Sequence, residues 1–421
     1  MTINNKFLLL PLVLLLAGRA AAQQQLTLDW DGARRLAIAN NPSVRAARAS
    51  MEQAGHAYLA GLNSYLPQIS ASHSFSRSGG DGSSPANRWS ASLAASEDLL
   101  NLRTVSSVKS SRISREKAEA DYLAASASVR QALAGAFADL LFAQKRVEVQ
   151  RNILAIRDEN AKLIRLKYEG GRESKGNALY TEALAGNAAV AVKKTERQLA
   201  AAQRALLQAM GVEGAGAVTA KGGLSVPGFS LDEARISGAL EISPRIMSAR
   251  KTLEAARERN NSARYYAYPT LRASQSYGWS GDREFPQNKS WSLGLTLSLP
   301  LFSGGPTYYF NNLSAYKKAQ VAAEENYRAE RISLSAALRT GYDDFLSAAE
   351  TAAASASLLE ANKERYSEAQ VRYLAGKVSF IDLANVEQSF IDSELSQLDS
   401  VRAAYSRRAA VEQLLGVGVE E

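Results

Sequence analysis

Hydrophobic and polar residues alternate without interruption from position 291 to position 299. The apolar positions are Trp291, Leu293, Leu295, Leu297 and Leu299. A period of two predicts a β-strand with one apolar and one polar face. Shorter alternations predict further strands at about 68–77, 88–96 and 270–279. The apolar faces could pack on a core, or they could face lipid while the polar faces line water.

Most of the remaining chain has the periodicity of α-helices. Helices are predicted over about 28–64, 102–167 and 174–210, with a break at Asn40–Pro42. A helix as long as 102–167 measures roughly 100 Å at 1.5 Å per residue. Such lengths suit a coiled coil or a tube rather than a compact domain. The helices are also rich in alanine, which permits close packing and is in itself a good helix former.

The same order of elements occurs twice along the chain. Three anchor pairs are 202 residues apart (244 − 42, for example): Pro42 and Pro244, Pro67 and Pro269, Trp89 and Trp291. Four later pairs are 205 residues apart (373 − 168, for example): Tyr168 and Tyr373, Gly171 and Gly376, Ser174 and Ser379, Gly211 and Gly416. We therefore predict a first repeat at 23–212, a linker at 213–228 and a second repeat at 229–421. Three inserted residues lie between the strands and the helical turn of the second repeat.

Residues 1–22 have the features of a secretory signal peptide: a lysine at position 6, an apolar run at 7–17 and alanines at 20–22. The chain contains no cysteine and only two histidines. This composition excludes disulfides and thiolate catalysis, and we expect neither a metal nor any other cofactor. No catalytic constellation is present, so we do not expect an enzyme. The net charge of +8 is not gathered into the basic stripe that nucleic-acid binding requires.

Four motifs, in this order and with the duplicated spacing, resemble those of the TolC family of bacterial outer-membrane efflux and secretion channels. They are Ala39–Pro42, Tyr65–Ile69, Leu299–Gly305 and Arg372–Asp382. The resemblance implies a mainly α-helical chain with a small β part. Three copies form a homotrimer whose four strands per chain build a twelve-stranded transmembrane β-barrel, continued by a periplasmic α-helical barrel. Elementary physics agrees in part, because four strands cannot close a barrel and lipid tolerates no open strand edge.

The same resemblance implies contact with outer-membrane lipid, a periplasmic adaptor and an inner-membrane pump. Residues 78–87 and 280–290 are then extracellular loops. An outer aromatic girdle is expected at Trp89, Tyr277, Trp279 and Trp291, and an inner girdle includes Tyr265, Tyr266, Tyr308 and Tyr309. Aromatic residues are also common in strands of any kind, which is the alternative explanation. Arg272 has the parity of the polar face and would add a cationic group to the lumen.

The resemblance further implies a periplasmic gate near the second helical turn. Asp382 matches a ring aspartate, which favours cations when three copies face a narrow lumen. Asn385 stands where members with two rings carry a second aspartate, so this chain departs from the pattern there. The alternative for Asp382 is an ordinary carboxylate near a helix N-terminus, where negative charge is favoured.

Tyr373 matches a tyrosine that helps to tie this gate shut. The gating arginine of the pattern is replaced by Val378, for which Lys377 or Arg372 could substitute. The two turns at 168–174 and 373–379 are expected to dock the adaptor, through the tip residues Tyr168, Gly171, Ser174, Gly376 and Ser379. The glycines and serines of these turns also have a local role, because glycine permits a tight turn and serine caps a helix.

The resulting hypothesis is an outer-membrane exit duct, with a large periplasmic extension, of a tripartite efflux or type I secretion system. A periplasmic coiled-coil adaptor or structural protein without a channel is the alternative. It explains the helices and the signal peptide but leaves the four alternating strands without a role. The inner-membrane partner selects the cargo in such systems, so the cargo class stays open between drugs, metals and proteins.

Overall fold

The computed structural model of the chain describes residues 26–420, apart from 214–216, 224–227, 285 and 302–303. The predicted signal peptide at 1–22 lies outside these residues. The first repeat contains β1 (Leu26–Leu28), α1 (Trp30–Asn40), α2 (Pro42–Leu62), β2 (Gln68–Gly80), β3 (Ser83–Leu100), α3 (Leu102–Glu169) and α4 (Lys175–Met210). The connection to the second repeat contains β4 (Val218–Ala220). The second repeat contains α5 (Glu233–Ile242), α6 (Pro244–Arg264), β5 (Thr270–Gly281), β6 (Asn288–Ser298), α7 (Pro306–Leu374) and α8 (Phe380–Leu415).

The four predicted alternating strands form one antiparallel sheet in the order β2–β3–β5–β6. Leu93 lies opposite Tyr277, which lies opposite Trp291, so the register brings the apolar positions of all strands to one face. That face is open: Trp291 is 76% exposed and Leu295 is 70% exposed. The apolar face therefore does not pack on a core in the described part of the chain. This leaves lipid as its environment, of the two that the alternation permitted.

The hairpin β2–β3 is longer than the alternation predicts. Residues 78–87 were expected to form a loop, but Ser78 pairs with Ala86, and only Asp81–Gly82 connects the strands. Gly82 has φ +86, which the tight two-residue turn requires and glycine adopts freely. The expected loop was wrong because backbone pairing outweighs the low strand propensity of these residues. The loop expected at 280–290 is likewise shorter, since β5 ends at Gly281 and β6 begins at Asn288.

The helices continue the sheet in the same order. α2, α3, α6 and α7 contact one another in sequence, as the strands β2, β3, β5 and β6 do. α3 then forms a hairpin with α4, and α7 forms one with α8. α3 has 68 residues and α7 has 69, so both reach the predicted length of roughly 100 Å. Among the described residues, no helix combines the length and the apolar character that a bilayer crossing requires.

A small parallel sheet between β1 and β4 ties the start of the first repeat to the connection that follows it. The side chain of Gln144 extends it by accepting from the backbone N–H of Ala220 at 2.8 Å and donating to its carbonyl at 3.0 Å. Leu28 was expected at the start of a helix, but it ends β1, and Asp29 caps α1 by accepting from Gly32 N at 2.8 Å. Strands of three residues are too short to give a periodic signal, which is why the sequence did not predict them.

Candidate functional site

The two helical turns at the far end of the hairpins are built alike. Gly171 has φ +69 and Gly376 has φ +71. A Cβ at either position would meet nothing within 4 Å, so it is the backbone conformation rather than space that calls for glycine. Ser174 then caps α4, and Ser379 caps α8, each through its side-chain oxygen. Each turn is therefore built locally, from a glycine with positive φ and a serine that caps the next helix.

Asp382 lies in the first turn of α8 and is exposed. Its carboxylate accepts from Ser379 Oγ at 2.7 Å and from Ser379 N at 3.2 Å, which completes a reciprocal capping box. Asp382 thus stabilises the start of α8, as the alternative interpretation expects. Asn385 and Lys377 are exposed on either side of it along the chain. Their exposure leaves all three side chains free to meet solvent in the single chain.

Tyr373 is the buried centre of this end of the molecule, with 3% of its surface exposed. Its hydroxyl donates to Glu173 Oε1 at 2.7 Å, which joins the end of α7 to the turn between α3 and α4. Lys167 Nζ lies 3.7 Å from the centre of the Tyr373 ring and donates to the Tyr373 carbonyl at 3.3 Å. A cation over an aromatic face is attracted to the ring, so Lys167 of α3 also stabilises the position of Tyr373.

The pKa shifts of Tyr373 and Glu173 favour the hydrogen bond in which the phenol donates and the carboxylate accepts. Burial, and then the hydrogen bond to Glu173, raise the pKa of the Tyr373 phenol well above its usual value. Although burial alone would raise it, hydrogen bonds from Tyr373 and Asn177 hold the pKa of the Glu173 carboxyl below its usual value. Tyr373 therefore stays a donor and Glu173 an ionised acceptor around neutral pH.

Sequence reasoning singled out Tyr373 but missed Lys167 and Glu173. Lys377, proposed as a substitute for the family arginine, is exposed, and Arg372 pairs with Glu368 at 3.4 Å on its own helix. The cation at Tyr373 comes instead from α3, 206 residues earlier. No sequence pattern links positions so far apart. Only the side-by-side packing of the two hairpins brings them together.

At the sheet, the expected outer girdle residues share the apolar face. Trp89 packs on Phe75 with ring centres 4.6 Å apart, and Tyr277 packs on Trp279 at 4.7 Å. Trp291 lies directly opposite Tyr277, seven residues before Ser298 at the other end of β6. Seven residues span about 24 Å along the strand at roughly 3.4 Å each.

The expected inner girdle residues lie where the helices meet the sheet. Tyr265 and Tyr266 form a short 3-10 turn after α6, and the guanidinium of Arg103 stacks 4.0 Å above the Tyr266 ring. Tyr308 and Tyr309 lie in the first turn of α7, and Tyr308 is 54% exposed. These aromatic residues occupy the opposite end of the sheet from the tryptophans.

The polar face of the sheet is a ladder of hydroxyl groups. The Oγ atoms of Ser72 and Ser92 lie 2.8 Å apart, and those of Ser276 and Ser292 lie 2.9 Å apart. Arg272 was expected to add a cationic group here, and it does so as one half of an ion pair. Its Nε binds Asp98 Oδ1 at 2.7 Å on the neighbouring strand, so the two charges neutralise each other. Sequence reasoning missed this ion pair because Asp98 lies beyond the predicted end of its strand.

Comparison with known protein families gives a match to one family. A sequence model described as "Outer membrane efflux protein" matches residues 33–212 and 236–417, which are the two repeats in turn. None of the curated proteins compared with the chain matches it significantly.

Several solved structures share the fold. The open state of the Neisseria gonorrhoeae outer membrane channel MtrE has a TM-score of 0.82 at 21% identity, covering 92% of this chain and 88% of that one. The Campylobacter jejuni outer membrane channel CmeC has a TM-score of 0.78 at 19% identity, covering 92% and 85%. The outer-membrane channel OprN has a TM-score of 0.81 at 20% identity, covering 93% and 90%.

Proposed function

Because the chain belongs to the outer membrane efflux protein family, we propose that three copies of it form the exit duct of a tripartite efflux or type I secretion system. The observation that carries the proposal is the exposed apolar face of the four-stranded sheet. Large exposed apolar faces are not stable in water and mark contact with lipid or protein. In the outer membrane this face meets lipid, and the serine ladder on the other face lines a water-filled lumen.

The two open strand edges support the trimer. β2 and β6 are the edge strands of the sheet, with one neighbour each in the single chain. Unpaired backbone groups cost several kcal/mol each in hydrocarbon, so both edges need partners. Pairing β6 of one copy with β2 of the next, three times over, closes a twelve-stranded barrel. α7 and α2 are the corresponding edge helices, so the same contact closes the helical tube below it.

At the far end, the helical turns are proposed to dock a periplasmic adaptor, which links the duct to an inner-membrane pump. The docking surface comprises the tip residues Tyr168, Gly171, Ser174, Gly376 and Ser379 with their apolar neighbours. Val371 is 67% exposed, Leu374 is 58% exposed and Ile381 is 66% exposed beside the second turn. Apolar side chains concentrated at a hairpin end, rather than scattered, favour a protein partner.

The gate is proposed at the same end. Three copies of Asp382, with Asn385 one turn further on, constrict the lumen and favour cations. The hydrogen bond from Tyr373 to Glu173, backed by Lys167, joins the α7–α8 hairpin to the α3–α4 hairpin and supports a role in keeping the gate closed. Lys377 lies at the mouth of the constriction.

The decisive test is the mass of the cross-linked protein extracted from outer membranes in detergent, followed by conductance in planar bilayers. A trimer that conducts supports the duct, and an Asp382→Ala variant should lose cation preference without losing assembly. A monomer or dimer recovered from the periplasm would contradict the proposal. It would also favour the coiled-coil adaptor without a channel, which otherwise leaves the exposed apolar face of the sheet unexplained.

A further inference from the structure

A buried polar cluster joins α8 to α3 about two helical turns above the second hairpin turn. Glu387 of α8 is 6% exposed, and Arg157 and Asn160 of α3 are 9% and 6% exposed. Arg157 Nε lies 3.7 Å from Glu387 Oε1, and Asn160 Nδ2 donates to Glu387 Oε2. Arg157 Nη2 also donates to Gln388 Oε1 at 2.8 Å. These bonds fix one face of α8 against α3.

The other helices complete the enclosure. The hydroxyl of Tyr366 on α7 accepts from Asn160 Nδ2 at 3.4 Å, and the Tyr366 ring stacks on Phe390 of α8 at 5.5 Å. Thr181 and Leu184 of α4 line the same small cavity as Glu387. Four helices therefore meet around one carboxyl group, and among the titratable side chains that line or bond to this site only Arg157 carries a compensating positive charge.

The proposed gate residues lie on the opposite face of α8 from this cluster. Successive residues of a helix are about 100° apart, so Asp382 is about 140° from Glu387 and Asn385 is about 160° from it. The same angles apply to Ser389 and Asp392, which are also exposed. Asp382, Asn385, Ser389 and Asp392 thus form a polar stripe along α8. As long as Glu387 is bound to α3, this polar stripe must point away from α3.

The first repeat makes the same hairpin without such a cluster. The residue that corresponds to Glu387 is Glu182 (387 − 182 = 205). Glu182 pairs with Arg165 near the surface, and their side chains are 36% and 62% exposed. A buried charge pair is costly to form and is not needed to close the hairpin. Its presence in one repeat alone therefore indicates a task beyond folding.

We propose that Glu387, Arg157 and Asn160 form a latch that sets the rotation of α8 about its own axis, and thereby directs Asp382 and Asn385 into the lumen. The inference rests on the proposed duct function. With the latch intact the constriction is narrow. When the bonds of the latch break, α8 rotates and the polar stripe moves away from the axis of the lumen. Glu387 and Arg157 are positioning residues, because they touch no cargo and act through α8.

The absence of cysteine from the chain makes a direct measurement simple. A Ser389→Cys variant carries one spin label per copy on the polar stripe, and double electron–electron resonance gives the distances between the three labels. In this background Arg157→Met, which leaves Glu387 buried without a cation, should lengthen the distances and raise single-channel conductance several-fold. Arg157→Lys, which keeps the charge, should largely restore both. Glu182→Gln is the matched control and should change neither.

The outcomes separate the latch from the duct. If the labelled parent protein forms no trimer or does not conduct, the duct proposal itself fails. If the parent conducts and Arg157→Met assembles with unchanged distances, the latch is refuted. The latch is also refuted if Glu182→Gln lengthens the label distances as much as Arg157→Met does. Should Arg157→Met not assemble, Asn160→Leu, which removes the hydrogen bond to Glu387 and leaves Arg157 in place, replaces it and must lengthen the label distances for the latch to stand.

Discussion

Replacing Tyr373 by phenylalanine removes one hydrogen bond at the proposed gate and little else. The phenylalanine ring keeps its packing and its contact with Lys167, since only the hydroxyl is lost. A hydrogen bond to a charged group contributes about 1.5–3 kcal/mol. Glu173 keeps its 2.9 Å hydrogen bond from Asn177, so we expect the low end of that range. A loss of about 1.5 kcal/mol shifts the equilibrium between closed and open gates about tenfold towards open.

The assay is the fraction of time that single trimers spend in the high-conductance state in planar bilayers. The matched control is Tyr180→Phe, which removes a hydroxyl from a side chain that is 54% exposed at the same end of the hairpins and should not alter that fraction. Equal open fractions for Tyr373→Phe and the unmodified protein, with both fully trimeric, would show that this hydrogen bond does not hold the gate.

Three further predictions concern the membrane face, a helix cap and pH. Leu295→Arg, near the middle of the apolar face, should destabilise the folded protein in the membrane by about 2–4 kcal/mol and prevent trimer assembly. Ser292→Arg on the polar face should still assemble. The gel mobility of the extracted protein distinguishes the two results. Ser379→Ala should cost about 1 kcal/mol through loss of the cap of α8, and a circular-dichroism melt that shows no change would contradict the capping role. Burial, opposed by Arg157, raises the pKa of the Glu387 carboxyl in the latched state. An exposed Glu387 in the released state has the lower pKa of an ordinary glutamate, so protonation favours the latched state. The label distances at Ser389→Cys should therefore shorten as the pH falls from the raised pKa towards that value, and Glu387→Gln should abolish this change.

The parts of the fold that could be predicted are those with a long repeating signal. Alternation from 291 to 299 predicted β6, and helical periodicity predicted α3 to within two residues at its C-terminal end. The duplicated spacing predicted that both halves have one architecture, which the family match over both repeats confirms. These predictions were possible because many residues in each segment share the same hydrophobic period.

The parts that could not be predicted depend on partners far away in the sequence. The Asp81–Gly82 turn is a strong local hairpin signal, but the serines and glycines around it favour a loop until the neighbouring strand pairs with them. Glu387 looked like any charged residue of a surface helix, because nothing local shows that Arg157 and Asn160 enclose it. Lys167 at the gate was missed for the same reason.

The unequal lengths of the two strand hairpins shape the outer mouth of the duct. Gly281, at the end of β5, pairs with Trp89, so residues 83–88 of β3 continue with β2 alone. Six residues project about 20 Å beyond the shorter hairpin. In the proposed trimer, three longer strand hairpins then alternate with three shorter ones around the rim. In the proposed duct the longer hairpins reach furthest from the membrane and are the first part of the molecule that an antibody meets at the cell surface.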